Sequence, residues 1–317
     1  MAWLSVVAGL AILVVAGDTL VKGAVNLALR LGIPALVVGL TVVAFGTSAP
    51  ELLVSVQAVL ADQPGIALGN VVGSNIANVL LVLGLPALIQ TLHAGQGDTR
   101  RSYIIMMLGS VLFAALLFTG TLTIWHGLVL LAGLAVMLWD SYRSARAHRK
   151  GRAAEAEAAE VEGADPGMPG WRIAAFLVVG LAGLPFGANL LVGGATEIAR
   201  TFGLSEAVIG LTLVAIGTSL PELAATTVAA VRRQADVAIG NVIGSNVFNL
   251  LAIIGISALV RPIAVPREML VVDIWVMLGA SVLLAPFVLW GRDIGRGVGI
   301  AFCTLYVAYV AALVAFS

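Results

Sequence analysis

GLTVVAFGTSAPEL at Gly39–Leu52 and GLTLVAIGTSLPEL at Gly210–Leu223 are near-copies within one 317-residue chain. The core of each, Gly46–Glu51 and Gly217–Glu222, sets a glutamate, two hydroxyls and a proline inside a long apolar stretch. A carboxylate at bilayer depth is costly, and a proline there leaves a backbone carbonyl without the partner that lipid cannot replace. One such segment could be a packing accident. Two in matching places read as an ion site at the interface of two repeats.

Moving outward, Gly32–Ile89 aligns without a gap on Gly203–Val260, an offset of 171 (203 − 32), with about half the positions identical. The alignment also joins ALGNVVGSNIANVLL (67–81) to AIGNVIGSNVFNLLA (238–252). Stacking alone would explain repeated glycines and leucines, but not repeated glutamates.

Composition places these motifs in a membrane. Sixty per cent of residues are apolar and 11% charged, and the mean hydropathy is +1.07, outside the range of soluble domains. Apolar runs of roughly 20 residues, enough to cross a bilayer, recur near 3–28, 34–60, 65–90, 102–119, 121–139, 172–199, 205–230, 236–260, 268–290 and 296–316. The expected fold is therefore an all-α membrane protein of ten transmembrane helices. The first run lacks a basic leader and reads as a retained helix rather than a cleaved signal. The 17 basic and 17 acidic residues balance and point to no nucleic-acid partner. The single cysteine, Cys303, rules out an intramolecular disulfide or a thiolate cluster.

The expected organisation is a first five-helix repeat (1–139), a linker (140–171) and a second five-helix repeat (172–317). The linker passes from a basic run (Arg143, Arg146, Arg149, Lys150, Arg152) to an acidic one (Glu155, Glu157, Glu160, Glu162, Asp165). It has no calcium-loop spacing and reads as a solvated, partly helical connector. With the N-terminus outside, Lys22, Arg30, Arg100, Arg101, the linker cluster, Arg172, Arg232, Arg233, Arg292 and Arg296 share one side. Only Arg200, Arg261 and Arg267 take the other. The positive-inside rule makes the crowded side cytoplasmic and both termini external, in the cell's inner (plasma) membrane. Five spans per repeat is an odd number, so the second repeat is expected to be inverted relative to the first.

Thr47, Ser48 and Glu51 share a helical face, as do Thr218, Ser219 and Glu222. Pro50 and Pro221 interrupt each helix, with Gly46 and Gly217 loosening the same turn. Oxygen-only donors of this kind suit Ca²⁺ and Na⁺. Ser74 with Asn78, and Ser245 with Asn249, are four residues apart and read as further ligands. Asn70, Asn75, Asn241 and Asn246 read as interhelical hydrogen-bonding residues, and Gly69/Gly73 and Gly240/Gly244 as close-approach positions. Asp273 reads as a packing carboxyl, and His93, His126 and His148 as ordinary residues near span ends. No Ser–His or paired-Asp arrangement suggests an intramembrane enzyme, and no filter-like loop suggests a channel.

The paired GTS-x-PE and GN-x-x-GSN-x-x-N segments resemble the two alpha-repeats of the calcium/cation antiporter superfamily, specifically its prokaryotic sodium/calcium exchanger branch. The resemblance implies Ca²⁺/Na⁺ antiport, no cofactor, and ion ligands at Thr47, Ser48, Glu51, Ser74, Asn78, Thr218, Ser219, Glu222 and Ser245. It also implies carbonyl ligands at Ala44 and Ala215. It makes the first and sixth helices a gating pair, with Asp18, Lys22 and Glu197 at gate or interface positions. Many members carry Asp where this chain has Asn249, a departure that bears on counter-ion and stoichiometry. Ca²⁺/H⁺ exchange, with protonation neutralising the same glutamates in place of Na⁺, is the alternative. The GTS-x-PE string favours Na⁺.

Overall fold

The computed structural model describes residues 1–93, 98–150, 165, 167–202 and 215–316. Among these residues the chain is helical, apart from a short antiparallel ribbon that pairs β1 (Thr121–Leu122) with β2 (Ile263–Ala264) and a bridge between Leu92 and Ile294. The first helix, α1 (Ala2–Leu31), ends at Gly32. That residue's φ of 62° lies in the left-handed region that glycine enters without strain. The bent pair α2 (Ala35–Thr47) and α3 (Ala49–Leu60) follows, then α4 (Pro64–Ile89). Next come α5 (Asp98–Leu117), α6 (Ile124–Lys150) and α7 (Gly170–Thr201). After a segment outside the described residues, α8 (Ala215–Thr218) and α9 (Leu220–Val231) form the second broken element. The remaining helices are α10 (Ala235–Val260), α11 (Met269–Leu289) and α12 (Arg296–Phe316).

Eight of these helices are long and apolar enough to cross a membrane, and the bent pair α2–α3 makes a ninth candidate among the described residues. The expected span at 205–230 is described only from Ala215 onward. The expected span ending at 139 belongs to a helix that runs on to Lys150. Of the linker's acidic run only Asp165 is described, and its backbone N–H donates to Asn26 Oδ1 at 2.8 Å. All six tryptophans are exposed (Trp3, Trp125, Trp139, Trp171, Trp275, Trp290), most of them close to helix ends. There the amphipathic indole suits the headgroup level.

Helices α4 and α10 are the most buried and form the centre. Backbone-to-backbone contact brings α2 and α10 together. A Cβ added at Gly240 would lie 2.8 Å from the Leu36 carbonyl, and one at Gly244 would lie 2.5 Å from the Leu40 carbonyl. The close-approach reading is therefore correct for Gly240 and Gly244, whereas a Cβ at Gly69 or Gly73 would meet nothing within 4 Å among the described residues. The repeat mates of Leu36 and Leu40 fall at 207 and 211, outside the described residues. Helices α1 and α7 pack antiparallel along their length. Gly9 meets Leu191 and Gly187, Gly180 meets Leu20, Gly23 meets Leu177, and Gly194 meets Ala2 and Val6. These contacts come in mates at the repeat offset: Gly9 with Gly180, Leu20 with Leu191, and Val6 with Leu177.

Candidate ion site

Proline at the second position of α3 and of α9 opens a helix without costing a bond, because the first turn's N–H groups have no intrahelical partners. The turn before it must bend. Ser48 (φ −84°, ψ 4°) and Ser219 (φ −89°, ψ 4°) leave helical geometry in the same way, and α2 and α3 meet at 45°. The break thus falls at the serine, downstream of the glycine where the sequence had suggested loosening. Glu51 and Glu222 sit in the first turn of the helices that restart. The N-terminal end of each helix dipole favours a negative charge there.

Both glutamates are fully buried. Ser48 Oγ donates to Glu222 Oε1 at 3.0 Å, bridging the repeats. Ser219 does not repeat this towards Glu51 but donates to Ser74 Oγ at 3.4 Å. Both oxygens of Glu51 and Oε2 of Glu222 find no hydrogen-bond partner among the described residues. The same holds for Ser245 Oγ, for Oδ1 of Asn75 and Asn78, and for both amide atoms of Asn249. An unpartnered buried polar atom costs about 1–3 kcal/mol, and a charged one more. Unpartnered buried polar groups of this number call for an explanation, and these fall on the two repeated motifs.

Around this cluster Asn70, Asn241, Asn75 and Asn246 act as clamps. Asn70 Nδ2 donates to the Glu51 carbonyl (3.2 Å) and to Ser55 Oγ (3.0 Å). Its mate Asn241 Nδ2 donates to the Glu222 carbonyl (3.5 Å) and to Thr226 Oγ1 (3.0 Å). Asn75 Nδ2 donates to the Asn246 carbonyl at 3.2 Å, and Asn246 Nδ2 approaches the Met106 sulfur at 3.7 Å. Interhelical hydrogen bonding is what these four residues do. Ser55 and Thr226 were missed by the sequence reading, although they stand four residues beyond each glutamate and are repeat mates.

The remaining expected ligands divide. Thr47 Oγ1 is engaged, lying 3.2 Å from Asn241 Oδ1 and 3.3 Å from the Ala44 carbonyl. That carbonyl also accepts the Ser48 N–H at 3.0 Å, so only part of its accepting capacity is left. Asn78 Nδ2 donates to Asn246 Oδ1 at 3.0 Å, which fixes the amide with Oδ1 as its spare acceptor. Asn78 begins one π-helical turn (Asn78–Val82) and Asn249 lies in another (Phe248–Ile253). Such turns recur at functional positions. Thr218 lines a cavity of about 210 Å³ together with Pro50, Val54, Pro185, Asn189 and Pro221. Ala215 is the first residue of α8. Away from the cluster, Asp273 accepts from Tyr309 Oη at 3.3 Å, the packing role expected of it. His93 pairs with Asp293 at 2.9 Å, and His126 Nδ1 accepts the Thr123 N–H at 2.9 Å.

Two buried glutamates on two broken helices, together with buried hydroxyl and amide oxygens, form a donor set of the kind a hard cation takes. Comparison with known proteins makes the class specific. The model of the sodium/calcium exchanger protein family matches residues 1–142 and 172–315. Sodium/calcium exchanger MaX1 of Methanosarcina acetivorans is 34% identical, with 96% of each chain covered. Inner membrane protein YrbG of Escherichia coli is 38% identical, covering 97% of this chain and 95% of its own. The solved structure of the sodium–calcium exchanger NCX_Mj superposes with a TM-score of 0.83 at 32% identity over 98% of both chains. The chain belongs to the sodium/calcium exchanger family, multi-pass membrane proteins that carry out cation antiport.

Proposed function

We propose that this protein exchanges Na⁺ for Ca²⁺ by alternating access, with both ions competing for the Glu51–Glu222 cluster. The observation that carries the proposal is the set of three buried carboxylate oxygens, one on Glu222 and two on Glu51, that like the Ser245, Asn78 and Asn249 oxygens have no hydrogen-bond partner among the described residues. Two carboxylates neutralise a divalent ion, and hydroxyl and amide oxygens complete a hard-cation shell. Ser48, Ser74, Ser219, Thr47 and Thr218 supply further oxygens, as do the Ala44 and Ala215 carbonyls. Ca²⁺ and Na⁺ are the transported substrates. Binding one excludes the other because they share the same glutamates.

In this reading ten spans form two inverted five-helix repeats around a midplane site. Residues 1–139 and 172–317 make the repeats, and 140–171 the cytoplasmic linker. Both termini are external and the protein lies in the cell's inner membrane. The antiparallel packing of α1 on α7, in mated contacts, supports that arrangement. The test is uptake of labelled Ca²⁺ into proteoliposomes under either an imposed Na⁺ gradient or an imposed pH gradient. Uptake driven by Na⁺ and indifferent to pH is expected. Uptake driven only by the pH gradient would assign the counter-ion to H⁺ instead.

A further inference from the structure

The two repeats are not in the same state. On one side, α7 stands off from α3 across the 210 Å³ cavity, with Ala188 and Asn189 on its wall. At the repeat offset their mates are Gly17 and Asp18 on α1, and there the space is closed. A Cβ at Gly17 would lie 3.1 Å from Val228 Cγ2 and 3.2 Å from the Ala224 carbonyl, both on α9. Val21 and Ala225, mates of the cavity residues Val192 and Val54, are buried.

The closed side carries three charges. Arg232, at the end of α9, binds Asp18 Oδ1 through both Nε and Nη2. Lys22 Nζ lies 2.9 Å from Asp18 Oδ2. The mates of Asp18, Lys22 and Arg232 are Asn189, Gly193 and Ala61, all uncharged. The backbone does not explain the difference, because Ala61 (φ −79°, ψ 6°) and Arg232 (φ −82°, ψ 8°) end their helices alike. Lys22 shares α1 with Asp18 and moves with it. Arg232 is at the end of the other helix, so of these three charges it is the one whose bonds to Asp18 add to the α1–α9 packing in resisting separation.

Resting on the antiport reading, we propose that the Arg232–Asp18 pair is the latch that holds the basic-residue (cytoplasmic) route to the ion site shut. Arg232 and Asp18 are positioning residues that bias the resting carrier towards its opposite opening. Lys22 neutralises Asp18 when the latch is released. The side chains are 22% and 30% exposed, intermediate between exposed and buried pairs. Loss of the pair should raise the population open to the cytoplasm about tenfold.

The test places a single cysteine in a Cys303→Ala background and measures reaction with a membrane-impermeant thiol reagent applied from one side. Arg232→Gln and Asp18→Asn should each speed cytoplasmic labelling of Ala225→Cys about tenfold, the double variant should add nothing further, and Arg232→Lys should slow it again. External labelling of Val54→Cys should not rise. A rise at both positions would mean general loosening and would overturn the latch, as would unchanged Ala225→Cys labelling in either folded variant. Labelling needs no ion flux, so a latch that responds in a protein without Na⁺/Ca²⁺ exchange would leave this inference standing and sink the antiport reading alone.

Discussion

Replacing Glu51 by glutamine removes one of the two charges assigned to Ca²⁺ while keeping volume and one accepting oxygen. Both Glu51 oxygens are buried and free of protein hydrogen bonds among the described residues, so no local network depends on the charge. At an effective dielectric of about 20, two unit charges about 4 Å apart attract by ~4 kcal/mol, and a divalent ion doubles that. Not having to desolvate the carboxylate offsets part of the loss. Breaking a buried ion pair costs about 3–5 kcal/mol net, which predicts Ca²⁺ binding weakened between a hundredfold and a few thousandfold. The assay is Ca²⁺ flux in proteoliposomes, with a size-exclusion profile to establish folding. Near-normal flux from a monodisperse Glu51→Gln protein would refute the reasoning.

Three further outcomes are expected. If three Na⁺ exchange for one Ca²⁺, each cycle moves one net charge, worth about 2.3 kcal/mol per 100 mV, so clamping the potential should change the flux; two-for-one exchange would be indifferent to it. Asn249→Asp should alter Na⁺ or Ca²⁺ dependence, because both Asn249 amide atoms are buried without partners among the described residues. Asn246→Asp should chiefly lower thermal stability, because its amide accepts from Asn78 and approaches Met106; unchanged ion dependence in folded Asn249→Asp would remove that residue from the site. Gly244→Ala should lower the melting temperature markedly, since its Cβ would lie 2.5 Å from the Leu40 carbonyl and 2.6 Å from Ala44 Cβ; an unchanged melting temperature would contradict the close packing of α2 on α10.

Much of the candidate site was legible because burying its groups carries a chemical cost. A glutamate beside a proline in an apolar run has few structural excuses, and the duplicated motif gave Glu51 and Glu222 together. The serines are less transparent. Ser48 and Ser219 occupy identical motif positions, yet one bonds Glu222 and the other Ser74. That difference comes from how the two halves settle against each other, which no local pattern records. The π-helical turns at Asn78 and Asn249 were equally hidden, since neither segment contains a residue that demands an extra backbone position. Asp18 could be read as a gate residue by resemblance, but its partner Arg232 is 214 positions away. Charge patterning placed Arg232 and Lys22 on one side of the membrane without joining either to Asp18.

The central claim is that Ca²⁺ and Na⁺ compete for one site between Glu51 and Glu222, and equilibrium binding tests it most directly. Labelled Ca²⁺ titrated onto the purified protein should saturate at one ion per chain and be displaced completely by Na⁺. Glu51→Gln and Glu222→Gln should each abolish that saturable component in a folded protein. Saturable Ca²⁺ binding that persists when both glutamates are replaced, or that Na⁺ does not displace, would contradict the account.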